Sequence, residues 1–281
     1  MTTPIQTSDS RISVNYNLKY VWLITITAAL GGLLFGYDWV VIGGAKPFFE
    51  RYFRLTDPSQ VGWANSCALI GCLVGAIVAG ILSDRFGRKP LLHCAALLFA
   101  ATSIGNALSP NFGIFIFWRM LGGTAIGLTS NLSPMYIAEI APASMRGRLV
   151  SINQLTIVMG ILLAQFINWL IARDVPKDAT DEFIISSWYG QYGWRWMFAM
   201  TSVPAIIFFV SMFFVPESPR WLAKNGRSKD AREILAKIGG TSYANAASKE
   251  IEETLKNDTK KVDFRELFKP DLRKPLALGI I

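Results

Sequence analysis

Six stretches of this chain, 20–37, 58–83, 90–118, 120–138, 149–172 and 196–216, contain no Asp, Glu, Lys or Arg. An uncharged, mainly apolar run of about 18 residues or more is long enough to cross a hydrocarbon core roughly 30 Å thick as a helix. Lipid offers the backbone no hydrogen-bond partner, so a spanning segment is either a helix or a strand of a closed barrel. Barrel strands are about half as long and alternate in polarity, and these runs do neither. The fold class is therefore an all-α membrane protein, with spans expected at about 20–45, 60–82, 90–108, 112–137, 149–171 and 195–215.

Only 17% of the residues are charged, against about a quarter in soluble domains. This distribution excludes a soluble enzyme and a secreted disulfide scaffold. The net charge of +8 is not gathered into a basic stripe with interleaved aromatics, so nucleic acid is not a partner. Cys67, Cys72 and Cys94 all fall inside apolar runs and form no metal or disulfide framework. His93 is the single histidine. No nucleophile–base pair, metal cluster or cofactor motif is visible, and the chain does not read as an enzyme.

Basic residues of short loops mark the cytoplasmic side. Arg85, Arg88 and Lys89 follow the second run, Arg146 and Arg148 the fourth, and Arg220, Lys224, Arg227 and Lys229 the sixth. The N-terminus is thus expected inside, in a bacterial inner membrane. The chain divides into a polar tail (1–19), a six-span bundle (20–217), a cytoplasmic helical linker (218–271) and the opening of a seventh span (272–281). In the linker, helices are expected at 228–238, stopped by Gly239 and Gly240, at 243–257 and at 264–268. Small residues four apart, in Gly32/Gly36, Gly71/Gly75 and Gly123/Gly127, mark close helix packing.

Two charges interrupt the apolar spans. Asp38 lies eight residues before Lys46, and Arg119 eight residues after Asn111. At a rise of about 1.5 Å per residue both lie roughly 12 Å below the outer face. A lone charge there costs at least about 2.5–3.5 kcal/mol, so two opposite ones at one depth are expected to pair. The plain reading is a fixed structural ion pair. The functional one is a proton switch, because a carboxylate takes up a proton more readily once its arginine moves away. Three inner helix ends carry acids among their bases: Asp84 with Arg85 and Arg88, Glu139 with Arg146 and Arg148, and Glu217 with Arg220. Ion pairs that form in one state and break in another would make a gate. Gln154 offers a neutral amide suited to sugar hydroxyls; Asn153, Gln165 and Asn168 are rivals, and helix–helix hydrogen bonding is the plainer role for each.

The motifs GGLLFGYD (31–38), DRFGRK (84–89), R-x-x-GG-x-x-x-G (119–127), PMYIAEIAP (134–142), RGR (146–148), GWRWMF (193–198) and PESPRWL (216–222) follow in this order. Together they resemble the sugar porters of the major facilitator superfamily, and among them the bacterial xylose–proton symporters. The resemblance implies two six-helix bundles with a monosaccharide held between them, the second bundle lying beyond this sequence. It implies that Asp38 is the proton-coupling acid with Arg119 as its partner, that Gln154 hydrogen-bonds the sugar and that Phe35 lines the pocket. Arg85, Arg88, Glu139, Arg146, Glu217 and Arg220 would form the inner gate. Its partners are thus a monosaccharide, a proton, the lipid bilayer and a second bundle. A facilitative carrier, an antiporter for another solute and a non-transporting sugar sensor or assembly subunit are the alternatives.

Overall fold

The computed structural model describes residues 15–176 and 179–258. Five long helices come first: α1 (Leu18–Tyr52), α2 (Pro58–Phe86), α3 (Arg88–Ala107), α4 (Phe112–Ile140) and α5 (Arg146–Ala172). A short α6 (Asp181–Ser186) precedes the sixth long segment, which is built in pieces: a π turn (Tyr189–Gly193), α7 (Trp194–Ala199), α8 (Ser202–Ser211) and a 3-10 turn (Met212–Phe214). Then follow α9 (Pro219–Lys224) and α10 (Ser228–Asp258). Among the described residues, six segments are long and apolar enough to cross a membrane.

The local chemistry explains the helix ends. Asn17 accepts the Tyr20 N–H at 3.2 Å, Asp57 the Ser59 N–H at 2.9 Å, and Asn111 the Ile114 N–H at 3.0 Å, each satisfying a donor that has no partner within its helix. Pro58 opens α2 at the position where a missing N–H costs nothing. A single residue, Gly87, turns α2 into α3 with φ 96°. That left-handed conformation favours glycine, and a Cβ there would also meet the Glu217 carboxylate.

Helices run past the expected spans where polar side chains support them outside the hydrocarbon. At the end of α1, Lys46 and Glu50 pair at 3.8 Å and Arg51 reaches Asp181 of α6 at 2.6 Å. The stretch after α5 holds α6, opened by Thr180, which accepts the Phe183 N–H at 3.3 Å. Within α10 the backbone leaves helical geometry at Gly239 and Gly240, as the glycine pair predicts. The stretch at 264–268, the start of a seventh span and most of the N-terminal tail lie outside the described residues.

Small residues set the packing. On α2, a Cβ at Gly71 or Gly75 would collide with backbone atoms of Met120 or Thr124 on α4; Gly123 and Gly127 of α4 press reciprocally on Ala68 and Cys72. In the same way Gly36 of α1 meets the Ile157 carbonyl of α5, and Gly160 of α5 meets that of Leu33. Two apolar clusters fill the bundle. One holds Leu34, Phe99, Leu132, Tyr136 and Phe208; the other holds Tyr37, Phe49, Phe115, Trp194 and Phe198. Leu155, Leu162, Phe166 and Trp169 of α5 and Leu73 and Ile77 of α2 are exposed. Such apolar faces suit acyl chains or another apolar protein surface, not water.

Candidate functional site

Asp38 sits in the middle of α1 and Arg119 in the first half of α4, and the bundle brings them together. Arg119 Nη1 donates to Asp38 Oδ2 at 2.9 Å. The two residues are only 6% and 2% exposed, so the pair is sealed inside the helices. The guanidinium carbon lies 5.6 Å from the Phe198 ring centroid. Arg119 Nε is buried with no acceptor among the described residues, so one of its donors is left over from the pairing. Desolvating two charges costs several kcal/mol each, and close geometry offsets that only in part. Removing either partner would leave the other as a buried, unpaired charge.

One turn from Asp38 along α1, a cleft of about 260 Å³ opens between α1, α4 and α5, lined by Phe35, Ser130, Pro134, Asn153 and Gln154. Pro134 has no N–H, so the Ser130 carbonyl loses its usual helical donor, and both residues line the cleft. Gln154 is exposed, while Asn153 is 4% exposed and its Oδ1 has no partner among the described residues. Phe35 stacks on Trp39 with centroids 6.3 Å apart, giving the cleft an aromatic wall. Of the rival amides, Asn168 ties α5 to the Val41 carbonyl at 3.4 Å, the plainer helix–helix role. Gln165 is exposed and is not part of the cleft wall.

A charged cluster occupies the end of the bundle where α2 turns into α3. Arg88 Nη2 pairs with Glu139 Oε1 at 2.9 Å, and its Nη1 donates to the Ser83 carbonyl at 2.8 Å and lies 3.4 Å from Asp84. Asp84 also pairs with Lys224 of α9 at 2.8 Å, and Trp221 Nε1 donates to the Asp84 carbonyl at 3.0 Å. Glu217 accepts the backbone N–H of Arg88 at 3.1 Å, of Lys89 at 3.2 Å and of Ser218 at 2.7 Å. Burial pushes the Glu217 carboxyl above the usual glutamate range, although those three N–H groups act against it. The Tyr136 hydroxyl donates to the Pro216 carbonyl.

Arg88, Glu139 and Glu217 thus share one cluster. Arg146 and Arg220 line a cleft of about 410 Å³ with Glu139. Arg85 turns outward, its guanidinium 5.3 Å from the Phe86 ring. Sequence reasoning passed over Lys224, Trp221 and Tyr136 as members of this cluster and Ser130 as part of the cleft; the first three lie within or beside PESPRWL and PMYIAE, which was the available signal. His93 Nδ1 lies 3.0 Å from the Lys89 carbonyl and its ring packs on Phe213, a structural position. Among the described residues no group of three or more His, Cys, Asp or Glu side chains could hold a metal ion.

Comparisons with known proteins agree with this architecture. The sequence model of the sugar (and other) transporter family matches residues 24–281. The arabinose-proton symporter of Bacillus subtilis (strain 168) is 42% identical over 99% of this chain and 58% of its own length. The D-xylose-proton symporter of Escherichia coli (strain K12) is 40% identical over 89% of this chain and 54% of its own. The solved structure of the major facilitator superfamily proton:xylose symporter XylE, bound to 6-bromo-6-deoxy-D-glucose, superposes with a TM-score of 0.81 at 39% identity, covering 88% of this chain and 55% of that one. The chain spans about half the length of the curated relatives it matches. With its membrane-length helices, buried ion pair and matched sequence, this multi-pass membrane protein belongs to the sugar (and other) transporter family.

Proposed function

We propose that this chain forms one half of a proton-coupled monosaccharide symporter that works by alternating access, with a second six-helix bundle completing the path. The observation that carries the reading is the buried Asp38–Arg119 pair one helical turn from the cleft lined by Phe35 and Gln154. α1 supplies a residue to both, so a shift of α1 against α4 changes the ion pair and the sugar-facing wall together. Asp38 exchanges the proton and Arg119 is its counter-charge. The amides of Gln154 and Asn153 and the Ser130 carbonyl face the sugar hydroxyls, and the Phe35 ring covers an apolar face of the sugar. The relatives named for arabinose and xylose support a pentose or a similar hexose as cargo.

The charged cluster acts as the inner gate. Arg88, Glu139 and Glu217 form its closed contacts, with Arg146 and Arg220 beside Glu139 and Arg85 at the rim. In this reading residues 20–217 are the membrane bundle and 218–271 the linker, whose described part, to 258, is helical. The basic inner ends support a cytoplasmic N-terminus and an inner-membrane location. The test is Asp38→Asn in the complete transporter in vesicles. Counterflow of labelled sugar persists, while accumulation driven by a proton gradient is lost. Gradient-driven accumulation at the wild-type level would overturn the assignment.

A further inference from the structure

A groove of about 540 Å³ lies on the outside of the bundle, at the end opposite the charged cluster, between the end of α3, the end of α1 and the start of the sixth span. Its charged lining residue is Arg195. Arg195 Nε donates to the Gln191 carbonyl at 3.1 Å and Nη1 to the Ala107 carbonyl at 2.5 Å, at the open C-terminal end of α3. The guanidinium packs against the adjoining rings of Trp194 and Tyr52, 4.5 and 4.8 Å from their centroids. Among the described residues no carboxylate pairs with it, and its hydrogen bonds to the protein are made by Nε and Nη1. This cation is therefore half-buried, held in place by carbonyls and rings, and without a carboxylate partner among the described residues, at the C-terminal end of α3.

The rest of the groove is apolar and open. Leu108 is 72% exposed, Trp196 54% and Ile104 46%. Tyr192 and Trp196 stand where amphipathic rings favour the headgroup layer. An arginine with a spare N–H pair above an exposed apolar channel matches a phosphodiester above an acyl chain, since a guanidinium binds phosphate oxygens in its own plane. A free sugar has no negative charge for Arg195, and a soluble anion has no use for the channel. We propose that this groove is a binding site for one anionic phospholipid, its phosphate on Arg195 Nη2 and one acyl chain along Ile104, Leu108 and Trp196. The inference is independent of the sugar-transport reading and needs only the membrane embedding.

The test uses the purified 281-residue chain in detergent, titrated with phosphatidylglycerol or phosphatidylcholine and read by native mass spectrometry and by thermal unfolding. Phosphatidylglycerol is retained at least about fivefold better than phosphatidylcholine and raises the unfolding temperature, the factor expected for one basic residue at a membrane surface. Arg195→Gln removes the headgroup preference. Leu108→Trp, which leaves Arg195 in place and fills the channel, removes retention of both lipids at the site, so the proposal stays testable if the arginine variant misfolds. Equal retention of the two lipids by the wild type overturns the proposal, as does unchanged phosphatidylglycerol retention by Leu108→Trp. If glycerol phosphate without acyl chains displaces the lipid at equal concentration, the groove is a soluble-anion site and the lipid assignment fails.

Discussion

A carboxylate and a guanidinium 2.9 Å apart and almost wholly buried make a testable energetic unit. Removing one partner leaves the other as an uncompensated charge, which costs about 3–5 kcal/mol, whereas removing both takes away the penalty together with the attraction. Arg119→Leu is therefore expected to lower thermal stability in detergent markedly, and Asp38→Asn combined with Arg119→Leu to recover most of the loss. The check is a double-mutant cycle of unfolding temperatures; additive losses would mean that the pair is not coupled. At this scale the sequence was informative for a simple reason. The rise per helical residue is fixed, so counting from Lys46 and Asn111 was enough to put Asp38 and Arg119 at one depth. Counting cannot tell which way a side chain points around the helix. Asn153 and Gln154 are consecutive, about 100° apart on α5, and only the packing shows that Asn153 is buried while Gln154 stays open, both beside the cleft.

Elements are held to one another by close backbone approach and, at one end, by charge. Gly75 of α2 lies against the Thr124 backbone, while Gly80 on the same helix faces open space. Gly75→Ala should then cost about 1–3 kcal/mol through forced separation of α2 and α4. Gly80→Ala should be neutral or stabilising, by up to about 1 kcal/mol from helix propensity alone. Unfolding midpoints of the two variants check this, and equal effects would contradict the packing account. Glu217 joins the start of α3 to the segment before α9, and burial raises its carboxyl above the usual range. With the folded-state value raised, the folded protein binds a proton more readily than the unfolded chain between the two values, so this group's contribution to stability increases as pH falls through that window. The stability of the wild type relative to Glu217→Gln should therefore rise on acidification from neutral pH towards the ordinary glutamate range; a flat or opposite difference would contradict it. The capping residues and the Gly239–Gly240 break were legible because they act locally. The link from Lys224 to Asp84 spans 140 positions and depends on where α9 docks, which no local pattern records.

At the scale of the whole molecule, the apolar runs identified the bundle because a hydrocarbon solvent acts on every residue of a span at once. What covers each face is a different matter, since lipid and a second bundle select similar side chains. The cleft with Gln154 marks the side that would face the transport path, and Val158 and Leu162 continue that line along α5 at four-residue steps. A cysteine at Leu162 should react with an alkylating reagent in the 281-residue chain alone and be protected in the complete transporter; equal reactivity in both would place the second bundle elsewhere. The central claim is that Asp38 exchanges a proton when the carrier moves sugar. Its most direct test is the external pH change on adding sugar to de-energised vesicles of the complete transporter. The wild type should take up protons with the sugar and Asp38→Asn should take up sugar without them, whereas undiminished proton uptake by the variant would contradict the account.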